Sequence, residues 1–202
     1  MENSQAYIDF TNQIKATGNQ KMAGYKSKTL DEIFEWEREE VENLIWHNFC
    51  NNDIDLAIFL PWLKKYNGLD SLEKKLQELN VPSGGSVLIS RVLYENTRET
   101  KYLDSIMRNI EKAPGNISFV SNLAYCSPSE KAYSLLVHIY INSDNEVIRS
   151  TAVTGILYNK GIIKNPYDLQ EITNNIGLKR KFLLSDIDDR KKNIKLFEEG
   201  ML

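Results

Sequence analysis

Two histidines, two cysteines and one dense run of carboxylates are the side chains of this 202-residue sequence whose types could do chemistry. Cys50 follows His47 by three residues, so on a helix the two would share a side, the arrangement of a thiol–imidazole pair. A di-iron bundle would need a glutamate three residues before each histidine. Leu44 and Leu135 stand there instead. No His-Glu-x-x-His, P-loop or dinucleotide-binding glycine pattern occurs, and no Gly-x-Ser-x-Gly elbow. Cys50 and Cys126 have no cysteine neighbour for a metal or redox motif. Both fall in apolar helical patterns, which predicts buried thiols in a reducing compartment. No catalytic, cofactor-binding or metal-binding residues are assigned.

The carboxylates crowd between Asp31 and Glu42. Asp31, Glu32, Glu35, Glu37, Glu39, Glu40 and Glu42 face a single Arg38. Glu35, Glu39 and Glu42 fall at i, i+4 and i+7, one side of a helix. Paired carboxylates do acid–base work only where burial splits their pKa values, and so many neighbouring charges predict a solvated face. The sharper reading is an acidic docking face for a basic protein, made by Asp31, Glu35, Trp36, Glu39 and Glu42. Trp36 lies off the apolar stripe of its helix, and amphipathic aromatics are enriched at binding hot spots. Two basic runs, Lys179-Arg180-Lys181 and Arg190-Lys191-Lys192, are interleaved with Asp186, Asp188 and Asp189 and suit a solubilising cap better than a phosphate site.

Composition supports a globular protein: 42% hydrophobic, 26% charged, net charge −3 and a pI near 5.6. Nucleic-acid binders carry a basic surplus that releases counterions from phosphates, so nucleic acid is an unfavoured partner. The first 21 residues are polar with no signal-peptide core, and no apolar run has membrane-spanning length. The expected location is the cytoplasm, with no membrane contact.

The elements that must position these residues are all helical. Residues 4–16 predict a short helix with Tyr7, Phe10 and Ile14 on one face, and 17–28 a loop. Thr29 with Glu32 forms a capping-box pattern opening a helix that carries Leu30, Ile33, Phe34, Val41, Leu44, Ile45 and Phe49. Asp53 can cap a segment with Leu56, Phe59, Leu60 and Leu63, in which Pro61 should kink or split the helix. Further helices are predicted after Ser86, over 99–112, from Ile117, after the boxes Ser127-Pro128-Ser129-Glu130 and Ser143-Asp144-Asn145-Glu146, from Asn165-Pro166 to a stop at Gly177, and from Ser185. Gly161 sits where a helix end wants a left-handed residue. No strand alternation or hairpin signal appears.

The spacing of these helices is the most informative feature. Apolar starts at Leu56, Val87, Ile117 and Val147 recur about every thirty residues, and second helices near Leu69, Leu103 and Tyr133 keep a similar step. A single helix pair cannot bury its own stripe, whereas stacked pairs share a continuous core. The predicted fold is all-α: stacked antiparallel helix pairs, with an N-terminal helix and loop over 1–28 and a single helical-repeat domain over 29–202. Small residues such as Ala124, Ala152 and Gly155 would allow close helix approach.

Val147, Arg149 and Ala152, with Gly155 in a small-residue slot, resemble the second helix of a HEAT-like repeat, which often reads Val-Arg-x-x-Ala after an acidic turn. The resemblance covers fifty to a hundred residues. It departs in repeat length, because HEAT units run nearer forty residues. It implies an α–α superhelix, and in size, charge and architecture the chain is similar to bacterial immunity proteins. These dock on a toxin, commonly a basic nuclease, and neutralise it, and opposite charge speeds such encounters. The expected function is therefore a non-catalytic protein-binding module, an immunity or inhibitor protein for a basic toxin. The alternatives are a HEAT-like nucleic-acid-binding protein, which needs a basic stripe on one face, and an enzyme with dispersed catalytic residues, which needs a pocket joining His47 or His138 to carboxylates.

Overall fold

The computed structural model describes residues 2–16, 24–25, 27–184 and 186–202, the stretch 27–29 as backbone only. The protein is all-α, with no strand among the described residues. It divides into two compact units, Met1–Leu79 and Asn80–Leu202. No helix among the described residues is long and apolar enough to cross a membrane.

Among its described residues the first unit contains three α-helices: α1 (Gln5–Lys15), α2 (Arg38–Cys50) and α3 (Gly68–Glu78). Three stretches of 3-10 helix join them, Ser27–Glu32, Glu35–Glu37 and Ile54–Trp62. Ser4 caps α1 by accepting from the Tyr7 N–H at 3.1 Å. Phe10 then reaches the core, where its ring meets Phe59 edge-on at 5.5 Å and Tyr25 at 6.1 Å. Pro61 offers no N–H to an α-helical ladder. The Ile54–Trp62 stretch winds as 3-10 helix, with Pro61 in its last turn, and buries Leu56, Ala57, Phe59 and Leu60. Asp53 does not cap it. Its side chain accepts instead from the Tyr25 hydroxyl at 2.8 Å.

The uninterrupted helix expected from Thr29 to Phe49 does not form. The chain breaks at Ile33 and Phe34, and α2 begins only at Arg38. Glu37 is the cause. Its carboxylate turns back to accept from the Phe34 N–H at 2.8 Å and from the Ser4 N–H and hydroxyl at 2.7 and 2.6 Å. The predicted cap side chain of Thr29 lies outside the described residues.

The second unit is a stack of helix hairpins. Its helices are α4 (Gly84–Thr97), α5 (Lys101–Lys112), α6 (Ile117–Ala124), α7 (Glu130–Asn142), α8 (Glu146–Asn159), α9 (Leu169–Asn174), α10 (Ile176–Phe182) and α11 (Ile187–Glu198). Helices α4, α6, α8 and α10 pack side by side in one layer, and α5, α7 and α11 in the other. Successive hairpins bury one continuous row of residues, including Leu93, Leu103, Leu123, Leu136, Ile156 and Leu157. Helix α8 crosses α6 closely because Gly155 has no side chain. A Cβ there would stand 2.7 Å from the Ala124 Cα and 2.8 Å from Leu136 Cδ1.

Several helix starts differ from the sequence expectation by two or three residues. The caps are Ser83 rather than Ser86, Ser129 rather than Ser127, Asn145 rather than Ser143, and Asp168 rather than Asn165. Each run offers more than one Ser, Asn or Asp oxygen able to accept from a first-turn N–H. Gly177 does not end a helix but lies in the first turn of α10. The predicted start at Ser185 lies outside the described residues, and Asp186 caps α11 by accepting from the Asp188 and Asp189 N–H groups. Gly161 does adopt the left-handed conformation after α8, with φ of 70°.

Neighbouring hairpins are tied by polar side chains that satisfy loop amides. Asn109 accepts from the Ser83 N–H at 2.8 Å and donates to the Ser86 hydroxyl and the Ser105 carbonyl. Glu95 accepts from the N–H and hydroxyl of Ser127, and Asn159 accepts from the Ser129 N–H at 2.9 Å. Arg190, fully buried, donates to the carbonyls of Tyr140, Ser143 and Asp186, so it fastens α11 to the C-terminal end of α7. The run Arg190-Lys191-Lys192 therefore contributes only its two lysines to the surface.

Candidate functional site

Four of the five residues expected to form an acidic docking face are on the surface: Asp31, Glu35, Trp36 and Glu39. Glu42 is not. It is 3% exposed and accepts from the backbone N–H groups of Lys64 and Lys65 at 3.1 and 2.9 Å and from Arg38 Nε at 2.9 Å. Arg38 also lies over the Trp62 ring at 3.9 Å and donates to the Trp62 carbonyl, so this pair seals α2 to the chain beyond the 3-10 stretch. The expected i, i+4, i+7 line of carboxylates fails for the same reason as the long helix. Glu35 precedes the start of α2 and is out of register with Glu39 and Glu42.

The break brings a different feature to the surface. Phe34, expected in the core, is 49% exposed, and Trp36 is 48% exposed. Their ring centroids are 6.2 Å apart. Asp31, Glu32, Glu35, Glu39 and Glu40 are exposed in the same stretch. Glu40 accepts from the Tyr7 hydroxyl, Glu39 pairs with Lys65 at 3.0 Å, and Lys64 approaches Glu35 at 4.0 Å. The aromatic pair is an apolar knuckle inside a predominantly acidic rim, on a unit with fourteen acidic and nine basic residues. One signal in the sequence could have exposed it. Phe34 and Trp36 are two apart, and no single helical stripe takes in both.

The turn under the knuckle is held from inside. Burial pushes the Glu37 carboxyl up, but the hydrogen bonds from the Ser4 hydroxyl, Ser4 N–H and Phe34 N–H outweigh it and hold the group below its ordinary 4.5. For Glu42 burial is likewise outweighed, by the N–H groups of Lys65 and Lys64 and by Arg38. Lowered folded values mean that both groups stabilise the fold above about pH 4.5, and that this contribution is lost as pH falls through the folded values. The first unit, which holds all three tryptophans, is thus expected to lose resistance to urea between about pH 5 and pH 3, read by tryptophan fluorescence. A Glu37→Gln, Glu42→Gln variant should start lower and lose less over that range. An unchanged slope in the variant would remove these carboxylates as the cause.

The residues singled out for chemistry are dispersed. The His47 ring meets the Asn51 amide at 2.9 Å rather than the Cys50 thiol. Cys50 is exposed, contrary to the expected burial, because it ends α2 on the side away from Val41, Ile45 and Phe49. Cys126 is buried, and burial pushes its thiol up to about 12. His138 is exposed on α7. The Asn142 amide nitrogen donates to the His138 carbonyl at 2.8 Å, which fixes it as nitrogen. The same amide nitrogen lies 3.2 Å from the His138 Nδ1. Among the described residues no group of three or more His, Cys, Asp and Glu side chains is placed to hold a metal ion.

A second aromatic cluster lies on the α4–α6–α8 layer. Tyr167 folds back so that its hydroxyl accepts from Arg91, and its ring meets Tyr125 edge-on at 5.0 Å. Arg91 also donates to Asn122. Lys179 of the first basic run is half-buried and donates to Thr154, so desolvation lowers its pKa. The second unit carries sixteen basic and fourteen acidic residues. No protein-family model matches this chain, and no curated protein or solved structure is significantly similar to it.

Proposed function

We propose that this chain is a non-catalytic module that binds a basic protein through the Phe34–Trp36 knuckle and its acidic rim. The observation that carries this reading is the pair of large aromatic rings held half in solvent on a turn fixed by a buried carboxylate. Exposed apolar surface of this kind is unfavourable in isolation, and a rigid aromatic anchor needs little ordering when a partner covers it. Asp31, Glu35 and Glu39 supply the charge that would steer a basic partner to it. Glu42 leaves the binding set and acts as an internal brace. In its sharpest form the module is an immunity or inhibitor protein of the cytoplasm that docks on a basic toxin and blocks it, a reading supported by the acidic first unit and the stacked hairpins of the second.

A second reading, nucleic-acid binding, would use Arg91, Tyr125 and Tyr167, since tyrosine rings can stack on bases.

Affinity capture from the native cells at low and high salt tests both. The expected result is a basic protein retained at low salt and weakened at high salt. Once that protein is purified, Trp36→Ala should reduce its affinity by about 30-fold, the loss typical of a hot-spot aromatic. The side chain is half in solvent, so the variant should remain folded. Equal affinity of variant and parent would reject the knuckle. Capture of nucleic acid that is lost on Arg91→Ala would replace this reading with the second.

A further inference from the structure

Between α5 and α7 the second unit opens a groove of about 430 Å³. Its floor is apolar, made by Met107, Ile110, Ile139 and Ile148, side chains that the core leaves at most 9% exposed. Volumes of this order hold small organic ligands. The charge of the rim selects among them. Glu111 stands on one side and Asp144 on the other, and no lysine or arginine lines the groove. Among the described residues neither carboxylate has an ion-pair or hydrogen-bond partner. Helix α5 also ends here at Lys112, which turns its negative dipole end toward the same space. The end of α7 adds less, because Arg149 already donates to the Ser143 and Asp144 carbonyls.

We propose that this groove binds a small organic ammonium: an apolar body, aromatic or branched aliphatic, on the Ile110–Ile139 floor, with its cationic head between Glu111 and Asp144. The His138 ring closes the rim and offers a ring nitrogen to a hydroxyl or ether oxygen on the same ligand. An anion of the same shape would meet two carboxylates, and a neutral analogue would lose the charge contribution alone. This site does not depend on the knuckle reading, which concerns the other unit.

The test is an NMR titration of the full-length chain with phenethylammonium, using 2-phenylethanol and phenylacetate as neutral and anionic analogues of the same body. Saturable amide shifts at Met107, Glu111, Gly115 and His138 are expected for the ammonium, with affinity about ten-fold above that of the alcohol. Phenylacetate should not saturate. The double exchange Glu111→Gln, Asp144→Asn alters only rim side chains, so the fold should persist. It should bring the ammonium down to the affinity of the alcohol and leave the alcohol unchanged. Equal affinities for ammonium and alcohol on the parent chain would overturn the proposal. So would an undiminished ammonium affinity in the variant, shifts confined to other residues, or no saturable shift at all.

Discussion

Replacing Gly155 by alanine should destabilise the protein by about 2–3 kcal/mol, and by valine more, although alanine is the better helix former. At an uncrowded helix position the same change would gain about 1 kcal/mol, so the sign of the effect is the test. The clash arises because the new Cβ would meet the Ala124 backbone at 2.7 Å, together with its Cβ and Leu136 Cδ1 at 2.8 Å. Leu136 can rotate away, but the Ala124 backbone can retreat only if α6 moves. Helix α6 is only eight residues long and is packed against α4, α5, α7 and α8, so the displacement spreads through both layers. Urea denaturation of the two variants would measure it. An alanine variant as stable as the parent would show that the α6–α8 crossing is looser than these distances require.

Arg190→Met is the second large effect, a loss of about 3 kcal/mol. The methionine would fill much of the volume but could not serve the carbonyls of Tyr140, Ser143 and Asp186. Ser143 keeps its bond from Arg149, whereas the Tyr140 and Asp186 carbonyls would lose this guanidinium donor. The damage should be local first. Limited proteolysis should cut the chain just before α11 in the variant while the α4–α8 hairpins resist. A variant with parental stability and parental cleavage would mean that the guanidinium contributes packing alone.

The architecture was legible in the sequence because hairpin stacking depends on a robust signal. Apolar residues at helical spacing, restarted about every thirty positions, can be buried only by neighbours with the same pattern. The starts at Val87, Ile117 and Val147 accordingly fall within α4, α6 and α8. Where the signal was a single polar residue it failed by small steps. Ser127 and Ser129 are equally good caps by type; Ser127 is bonded to Glu95 and Ser129 caps the helix. The exposure pattern of the stretch from Asp31 to Glu42 was half legible. The acidic run and the exposure of Trp36 could be read locally. The burial of Glu42, the role of Glu37 and the exposure of Phe34 could not. They depend on Ser4, Lys64 and Lys65, residues more than twenty positions away whose backbone N–H groups have no sequence signature.

The side chains that reach from one hairpin to the next carry a consequence for motion. The amides of Ser127 and Ser129 lie in a connecting loop, where exchange with solvent deuterium would ordinarily be fast. Their acceptors belong to the last turns of α4 and α8, which lie on either side of α6 in the same layer. Releasing either proton requires the acceptor side chain to swing away, which fraying of its helix end promotes, so these loop amides are sensitive to the opening of the adjacent hairpins. Stability in this unit is therefore shared between nearest neighbours, and a local melt anywhere in the stack should travel by one hairpin at a time.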